Sequence, residues 1–221
     1  MTLLTTARFH TTVVALAQLP REGLIEVAFV GRSNAGKSSA INVLCNRRRL
    51  AFASRTPGRT QALNYFAVGP AERPSAYLVD TPGYGYASAP LETKRTWDGL
   101  AGQYLRDRPT LSCVVLLVDI RRGLTELDLR LIAWVPGHVR LLAVLTKSDK
   151  LSREQGRKMA RSVRDTLTQL RSEASDQVML FSALNRSGRD ELVEQVENAL
   201  RGDSDQTDET KKTPEATEAP G

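Results

Sequence analysis

Hydrophobic residues along the chain gather in short runs of two kinds, and the way those kinds alternate predicts the architecture. Nearly continuous apolar runs at Leu24–Val30, Leu111–Val118 and Val139–Leu145 have the character of strands buried on both faces. Shorter runs at Leu63–Val68, Ala76–Val79 and Val178–Phe181 predict further strands. The first two of these flank Gly69-Pro70 and predict an antiparallel hairpin. Between the strands the period changes to that of a helix. Helices are expected over Ser38–Asn46, over Leu91–Asp107 with Trp97, Leu100 and Tyr104 in line, and from a Thr125 cap through Trp134. A long helix opens with the capping box Ser152-x-x-Gln155 and turns Met159, Val163, Leu167 and Leu170 inward; a last one gathers Leu192, Val193, Val196 and Leu200.

Strands alternating with helices predict an α/β fold: a mostly parallel six-stranded sheet with one antiparallel strand and helices on both faces. Residues 1–23 read as an N-terminal leader with at most one short strand around Phe9–Leu16, residues 24–201 as one folded domain. Residues 202–221, rich in Pro, Thr and acidic side chains, read as a disordered tail. Residues 51–61 contain Thr56-Pro57-Gly58, have no period and predict a mobile loop.

Composition narrows the class. At 221 residues, 41% hydrophobic and 25% charged, the chain is ordinary for a globular domain with a sizeable core. No apolar run reaches membrane-span length, and the first residues lack the pattern of a secretory signal. Cys45 and Cys113 are too few for a disulfide framework and lie in apolar surroundings, so buried reduced thiols and a cytoplasmic location are expected. Net charge is +6, unevenly spread. Of 31 basic and 25 acidic residues the tail takes 2 and 6, leaving 29 against 19, or +10, in residues 1–201. Such a body favours a polyanionic partner. The clusters Arg47–Arg49, Arg121-Arg122 and Arg153, Arg157, Lys158, Arg161 and Arg164 are candidate RNA contacts.

The chemistry is concentrated where strands should end. After Val30 comes G-x-x-x-x-G-K-[ST], here Gly31, Arg32, Ser33, Asn34, Ala35, Gly36, Lys37 and Ser38, the signature of a P-loop NTPase. The two glycines permit backbone conformations and approaches that a Cβ would block. The loop amides and the helix N-terminus can then converge on phosphate oxygens. Lys37 would reach the β- and γ-phosphates and Ser38 would ligate Mg²⁺. Asp80-Thr81-Pro82-Gly83 follows a strand: its carboxylate can hold Mg²⁺ through water, and its glycine amide can sense a γ-phosphate. Thr146-Lys147-Ser148-Asp149 ends another strand. Asp149 can accept from the N1–H and 2-amino groups that guanine has and adenine lacks, leaving a charge unpaired when ATP enters. Ser182-Ala183-Leu184, directly after Phe181, can add a backbone amide to the guanine oxygen.

These motifs, in the wording GRSNAGKSS at Gly31–Ser39, TPGRTQ at Thr56–Gln61, DTPGYGYA at Asp80–Ala87 and TKSD at Thr146–Asp149, closely resemble the YihA/EngB family of bacterial GTPases over about residues 24–200. The resemblance implies binding of GTP and GDP with Mg²⁺, with Ser38, Thr60 and Asp80 as metal ligands and Lys37, Thr60 and Gly83 in catalysis. It implies that Gly58, Arg59, Thr60, Gln61 and Ala62 line the first switch, Asp80–Gly83 the second, and that Phe181–Ala183 support the base. Thr56 is the other candidate for the switch threonine. The family is implicated in large ribosomal subunit assembly and in normal septation, so the large subunit or its RNA is the implied partner of a monomeric, cytoplasmic switch.

Thr146 stands where most GTPases have Asn, removing an amide expected to tie this loop to the phosphate loop. Tyr84 stands where Ras-type enzymes carry the water-orienting Gln, which implies slow hydrolysis. Asn34 either helps bind K⁺, as in GTPases that use a monovalent cation, or bonds the loop's own backbone. Two rivals remain: a GTP-controlled binding module that barely hydrolyses, and a regulator acting directly on a cell-division protein.

Overall fold

The computed structural model describes residues 2–52, 62–85, 97–172 and 176–202. Its centre is one seven-stranded sheet built from β1 (Arg8–Val13), β2 (Ile25–Gly31), β3 (Leu63–Val68), β4 (Ala76–Asp80), β5 (Leu111–Asp119), β6 (Arg140–Thr146) and β7 (Gln177–Leu180), in the order β1-β3-β4-β2-β5-β6-β7. The antiparallel strand is β3, which pairs that way with both β1 and β4; β4, β2, β5, β6 and β7 are mutually parallel.

The expected count of six strands becomes seven because Arg8–Val13 joins the sheet edge, pairing Arg8 with Ala67 and Val13 with Leu63. The pattern hid it. An edge strand buries little: only Val13 of the six residues is buried, Phe9 is 59% exposed, and the register slips between Phe9 and Thr11, which breaks the alternation.

Alternate side chains of the inner strands feed two apolar layers. Val27, Phe29, Leu78, Val115, Leu117 and Val144 pack with α1 (Lys37–Leu44) and the last helix, Arg189–Arg201. Ala28, Val30, Val79, Val114, Leu116 and Ala143 pack with α2 (Gly102–Asp107), α3 (Glu126–Trp134) and α4 (Arg153–Leu170); the last helix is then α5. Helices therefore cover both faces, as the pattern predicts.

Three helices differ in detail. Of the expected helix over Leu91–Asp107, residues 91–96 lie outside the described residues, and Gly99, at φ −88° and ψ −127°, interrupts helical geometry before α2. In α4, Met159, Val163 and Leu167 face the sheet, whereas Leu170 is 53% exposed. The helix outruns its support there, since β7 has only four residues. The boxes that open α3 and α4 are present: the backbone N–H of Thr125 donates to Asp128 Oδ2 at 2.7 Å, and that of Gln155 to Ser152 Oγ at 3.2 Å.

A carboxylate sits inside this apolar framework. Glu26, fully buried near the start of β2, accepts from Tyr65 and Tyr104 hydroxyls on Oε2 at 3.0 and 2.9 Å, and from Arg108 Nε and Thr110 Oγ1 on Oε1 at 2.8 and 2.9 Å. Burial, with the carboxylate beside them, pushes both phenols above their ordinary range. Every lone pair of the acid is thus used. Because a buried charge stripped of its cation is costly, Arg108→Leu is expected to lower unfolding free energy by about 3 kcal/mol. Denaturant unfolding at neutral pH measures this, and a loss below about 1 kcal/mol would contradict it.

Candidate functional site

Strands β2, β4, β5, β6 and β7 all end at the same edge of the sheet, and the sequence motifs follow those ends. Between β2 and α1 the chain turns through Gly31–Gly36. Gly31 approaches β5 so closely that a Cβ would lie 2.7 Å from the Leu117 carbonyl oxygen. Gly36 initiates α1 with φ +96°, a conformation natural only to glycine; Asn34 takes φ +66°, which Asn tolerates better than other side chains. The first amides of α1 have no intrahelical acceptor, so this turn and helix start offer a set of N–H donors around Lys37 and Ser38.

Asp80 ends β4 and forms an ion pair with the Lys37 ammonium, both side chains being largely buried. Beyond it the chain continues along the phosphate loop. The N–H and the Oγ1 of Thr81 donate to the Phe29 carbonyl, at 3.2 and 2.9 Å, while the Tyr84 N–H donates to Gly31 O and the Ser33 N–H to Tyr84 O. Gly83 lies against Ser33: a Cβ on it would be 3.0 Å from Ser33 Oγ and 3.2 Å from Ser33 Cα. The two motifs are in direct contact.

Tyr84 does not point toward this junction. It is 6% exposed, and its phenol donates to Asp128 Oδ1 at 2.5 Å. Burial and the Asp128 carboxylate raise its pKa well above the ordinary phenol range, so it stays protonated at any working pH.

The third motif lies beside the first. Thr146 is buried, and its hydroxyl donates to the Ala35 carbonyl at 2.6 Å, with Val118 O at 3.1 Å as a second acceptor. The tie expected to be lost with the missing Asn is therefore made by the threonine hydroxyl. Lys147, at φ +58°, sends its ammonium to the Asn34 carbonyl at 2.8 Å and to Asp119 Oδ2 at 2.9 Å. Asp149 accepts from Ser182 Oγ at 2.5 Å and faces Lys150 at 3.3 Å. The Ser182 hydroxyl chiefly holds the Asp149 carboxyl below its ordinary range. Backbone bonds fix the two loops together: Ser148 N–H to Phe181 O at 3.1 Å and Phe181 N–H to Leu145 O at 2.9 Å. Phe181 and Ser182 are buried and Ala183 packs on the core. Gly188 makes the loop possible, since a Cβ there would meet Leu180 O at 2.0 Å.

Gly58, Arg59, Thr60 and Gln61, with the alternative Thr56, lie outside the described residues; Ala62 is buried at the start of β3. The tail beyond Gly202, Tyr86 and Ala87 also lie outside them.

Two contributors escaped the motifs. Asp119 closes β5 and is gripped by Arg121, Nε to Oδ1 at 2.9 Å and Nη2 to Oδ2 at 2.6 Å, as well as by Lys147. The Arg121 bonds, then Lys147, hold its carboxyl far below the ordinary range. A carboxylate directly after a buried strand on the motif-bearing edge was the available signal. Asp128 had none beyond its place in a helix cap.

The remaining donor set suits a hard divalent ion. Mg²⁺ in phosphate sites takes one or two protein oxygens and leaves the rest to phosphates and water; the Ser38 hydroxyl and Asp80 carboxylate are of that kind. No group of three or more His, Cys, Asp or Glu that could hold a metal occurs among the described residues. Cys45 and Cys113 are buried free thiols, each pushed up to about 12 by burial. No helix among the described residues is long and apolar enough to cross a membrane.

Comparison with known proteins agrees with the motifs and the fold. Residues 26–147 match the family described as 50S ribosome-binding GTPase. The chain is 51% identical over 203 residues to a probable GTP-binding protein EngB of Burkholderia thailandensis, covering 90% of this chain and 93% of that one. Among solved structures, a probable GTP-binding protein EngB superposes with a TM-score of 0.61 at 20% identity, covering 80% of this chain and 98% of that one. Era in complex with MgGDPNP and nucleotides 1506–1542 of 16S ribosomal RNA superposes with 0.57 at 21%, covering 80% and 56%. These two show a shared fold. With half its length in one GTPase family profile and nine-tenths of it aligned to its relatives, the chain belongs to the EngB family of P-loop GTPases.

Proposed function

We propose that this chain binds GTP and GDP at the carboxyl edge of its sheet, hydrolyses GTP slowly, and acts as a switch on the large ribosomal subunit or its precursor. The observation that carries it is the meeting of three motifs. Lys37 is paired to Asp80, Gly83 abuts Ser33, and Thr146 and Lys147 are bonded to Ala35 and Asn34. One Mg-bound nucleotide would span them. Gly31–Ser38 and the Lys37 ammonium would hold the phosphates, with Gly83 at the third. Lys147 would lie along the base, Asp149 would read its N1–H and 2-amino group, and Phe181–Ala183 would support it. Ser38 and Asp80, with Thr60, would hold Mg²⁺, which when bound neutralises and orients the phosphate oxygens.

Slow hydrolysis follows from Tyr84. The position that presents a water-orienting amide in Ras-type enzymes is occupied by a phenol bonded to Asp128, so acceleration would come from a partner that orders the switches or from a bound cation. The partner reading rests on charge and on kinship with 50S ribosome-binding GTPases. On α4, Arg153, Arg157, Arg161 and Arg164 are exposed and make no ion pair among the described residues. They fall within about 80° of helical arc, a stripe suited to RNA phosphates. A direct septal role for the GTP form would instead show as absence from ribosomal fractions.

Asn34 supports one further reading. Its exposed side chain makes no hydrogen bond to the described residues, which leaves it available to a monovalent cation beside the phosphates.

Four outcomes are expected. Asp149→Ala should weaken GTP binding at least about tenfold without weakening ATP binding, measured by nucleotide titration; equal loss for both would refute the base assignment. Phosphate release by the protein alone in single turnover should be on the order of 10⁻³ per second, and higher with large-subunit precursors present. The GTP form should co-sediment with those precursors, the association falling steeply between about 50 and about 200 mM salt; salt-insensitive binding would remove the arginine stripe from the account. Turnover should be faster in K⁺ than in Na⁺ at equal ionic strength, and equal rates would exclude the cation.

A further inference from the structure

We infer that Tyr84 and Asp128 form a positioning pair that sets the ratio of GTP affinity to GDP affinity. This rests on the guanine-nucleotide reading above and goes beyond it, since neither residue would touch the nucleotide. Tyr84 is fixed on three sides. Its N–H donates to Gly31 O at 3.3 Å, its carbonyl accepts from Ser33 N–H at 2.9 Å, and its phenol donates to Asp128 Oδ1 at 2.5 Å. Asp128 is 1% exposed, and its second oxygen accepts from the N–H and Oγ1 of Thr125 at 2.7 and 2.5 Å. One carboxylate therefore both caps α3 and anchors the residue after Gly83. Helix α3 is itself held on the sheet by Leu131 and Ile132.

Gly83 is thereby confined from both directions. Ser33 lies against its Cα on one side, and the anchored Tyr84 follows on the other. Gly85, at φ +73°, packs closely against Arg32 and Leu127, so close that a Cβ on it would lie 2.8 Å from Arg32 Nε and 3.1 Å from Leu127 Cδ1. The amide of Gly83 is the group assigned to the third phosphate, so loosening the Tyr84 side chain while its backbone bonds to Gly31 and Ser33 persist is felt far more by GTP than by GDP. A ligand distinguishes two arrangements only through contacts that differ between them, and this amide is such a contact. The first turn of α3 touches the same segment at two points, Asp128 to Tyr84 and Leu127 to Gly85. The presence of the third phosphate is accordingly passed to the α3 N-terminus chiefly through the buried Asp128 carboxylate, with the Leu127 contact beside it.

Dissociation constants for GDP and for a non-hydrolysable GTP analogue, on wild type, Tyr84→Phe, Asp128→Asn and the double variant, test the pair. Tyr84→Phe keeps the ring and its packing and removes one hydrogen bond to a charged group. It should weaken the GTP analogue about tenfold and GDP less than about twofold. The double variant should be no worse than Asp128→Asn alone, because the two share one interaction. Melting temperatures of all four proteins show whether each folds. An unchanged ratio of the two constants in Tyr84→Phe, or equal weakening of both nucleotides, overturns the inference while leaving the nucleotide site standing. A wild type that binds neither nucleotide overturns both.

Discussion

The site depends on where the phosphate loop sends its carbonyl groups. In a planar trans peptide the C=O and the following N–H point in opposite directions. An acceptor fixed outward therefore fixes a donor inward. The Gly31 carbonyl is taken by Tyr84 N–H, that of Asn34 by the Lys147 ammonium, that of Ala35 by the Thr146 hydroxyl and that of Gly36 by Ala40 N–H. The peptides joining Ala35 to Gly36 and Gly36 to Lys37 are thus oriented from behind, and their amides face the side where an anion would lie. Thr146 matters for this reason. It is less a lost asparagine than a hydroxyl whose 2.6 Å bond to Ala35 orients the Gly36 amide, which on the proposed reading would face a phosphate.

The same economy of buried polar groups runs along the sheet. Glu26 and Gly31 are five residues apart on one strand, about 16 Å, and each end has its own network. At the Glu26 end a charge is enclosed and fully bonded, which fixes how β2, β3, α2 and the start of β5 meet. At the other end Asp119, with Arg121 and Lys147, fixes how β5 and β6 present their last residues. The apolar middle supplies the stability, whereas these two polar ends supply register. A sheet of near-continuous Val, Leu and Ile would otherwise have several ways to pair.

What could be read from the sequence was local. The spacing of Gly31, Gly36, Lys37 and Ser38 states its own geometry, and the runs at Leu111–Val118 and Val139–Leu145 can only be buried strands. What could not be read depended on partners far along the chain. Glu26 interrupts an apolar run, but its donors lie 39 to 84 residues away. Tyr84 follows a glycine and precedes another, a context that suggests an exposed loop, yet its hydroxyl is buried against Asp128, 44 residues on. Around Phe9–Leu16 at most a short strand could be read, outside the sheet, because an edge strand with one buried residue carries hardly any hydrophobic period.

The contacts divide the nucleotide in two. Those of Thr146, Lys147, Asp149 and Ser182 surround the region assigned to base and inner phosphates, and none of them involves Asp80–Gly85. GDP and GTP would engage that half alike. On the proposed assignment, what distinguishes the two nucleotides would act through Lys37, through the stretch from Asp80 to Gly85 or through Thr60. Of the described part, the Lys37–Asp80 pair joins this stretch to the phosphate loop and the Tyr84–Asp128 bond joins it to α3. A change sensed at Gly83 thus has a covalent path of one residue to an anchored side chain, and from there one carboxylate to a helix terminus. No longer chain of contacts is needed to carry the state of the site to the outer surface of the sheet.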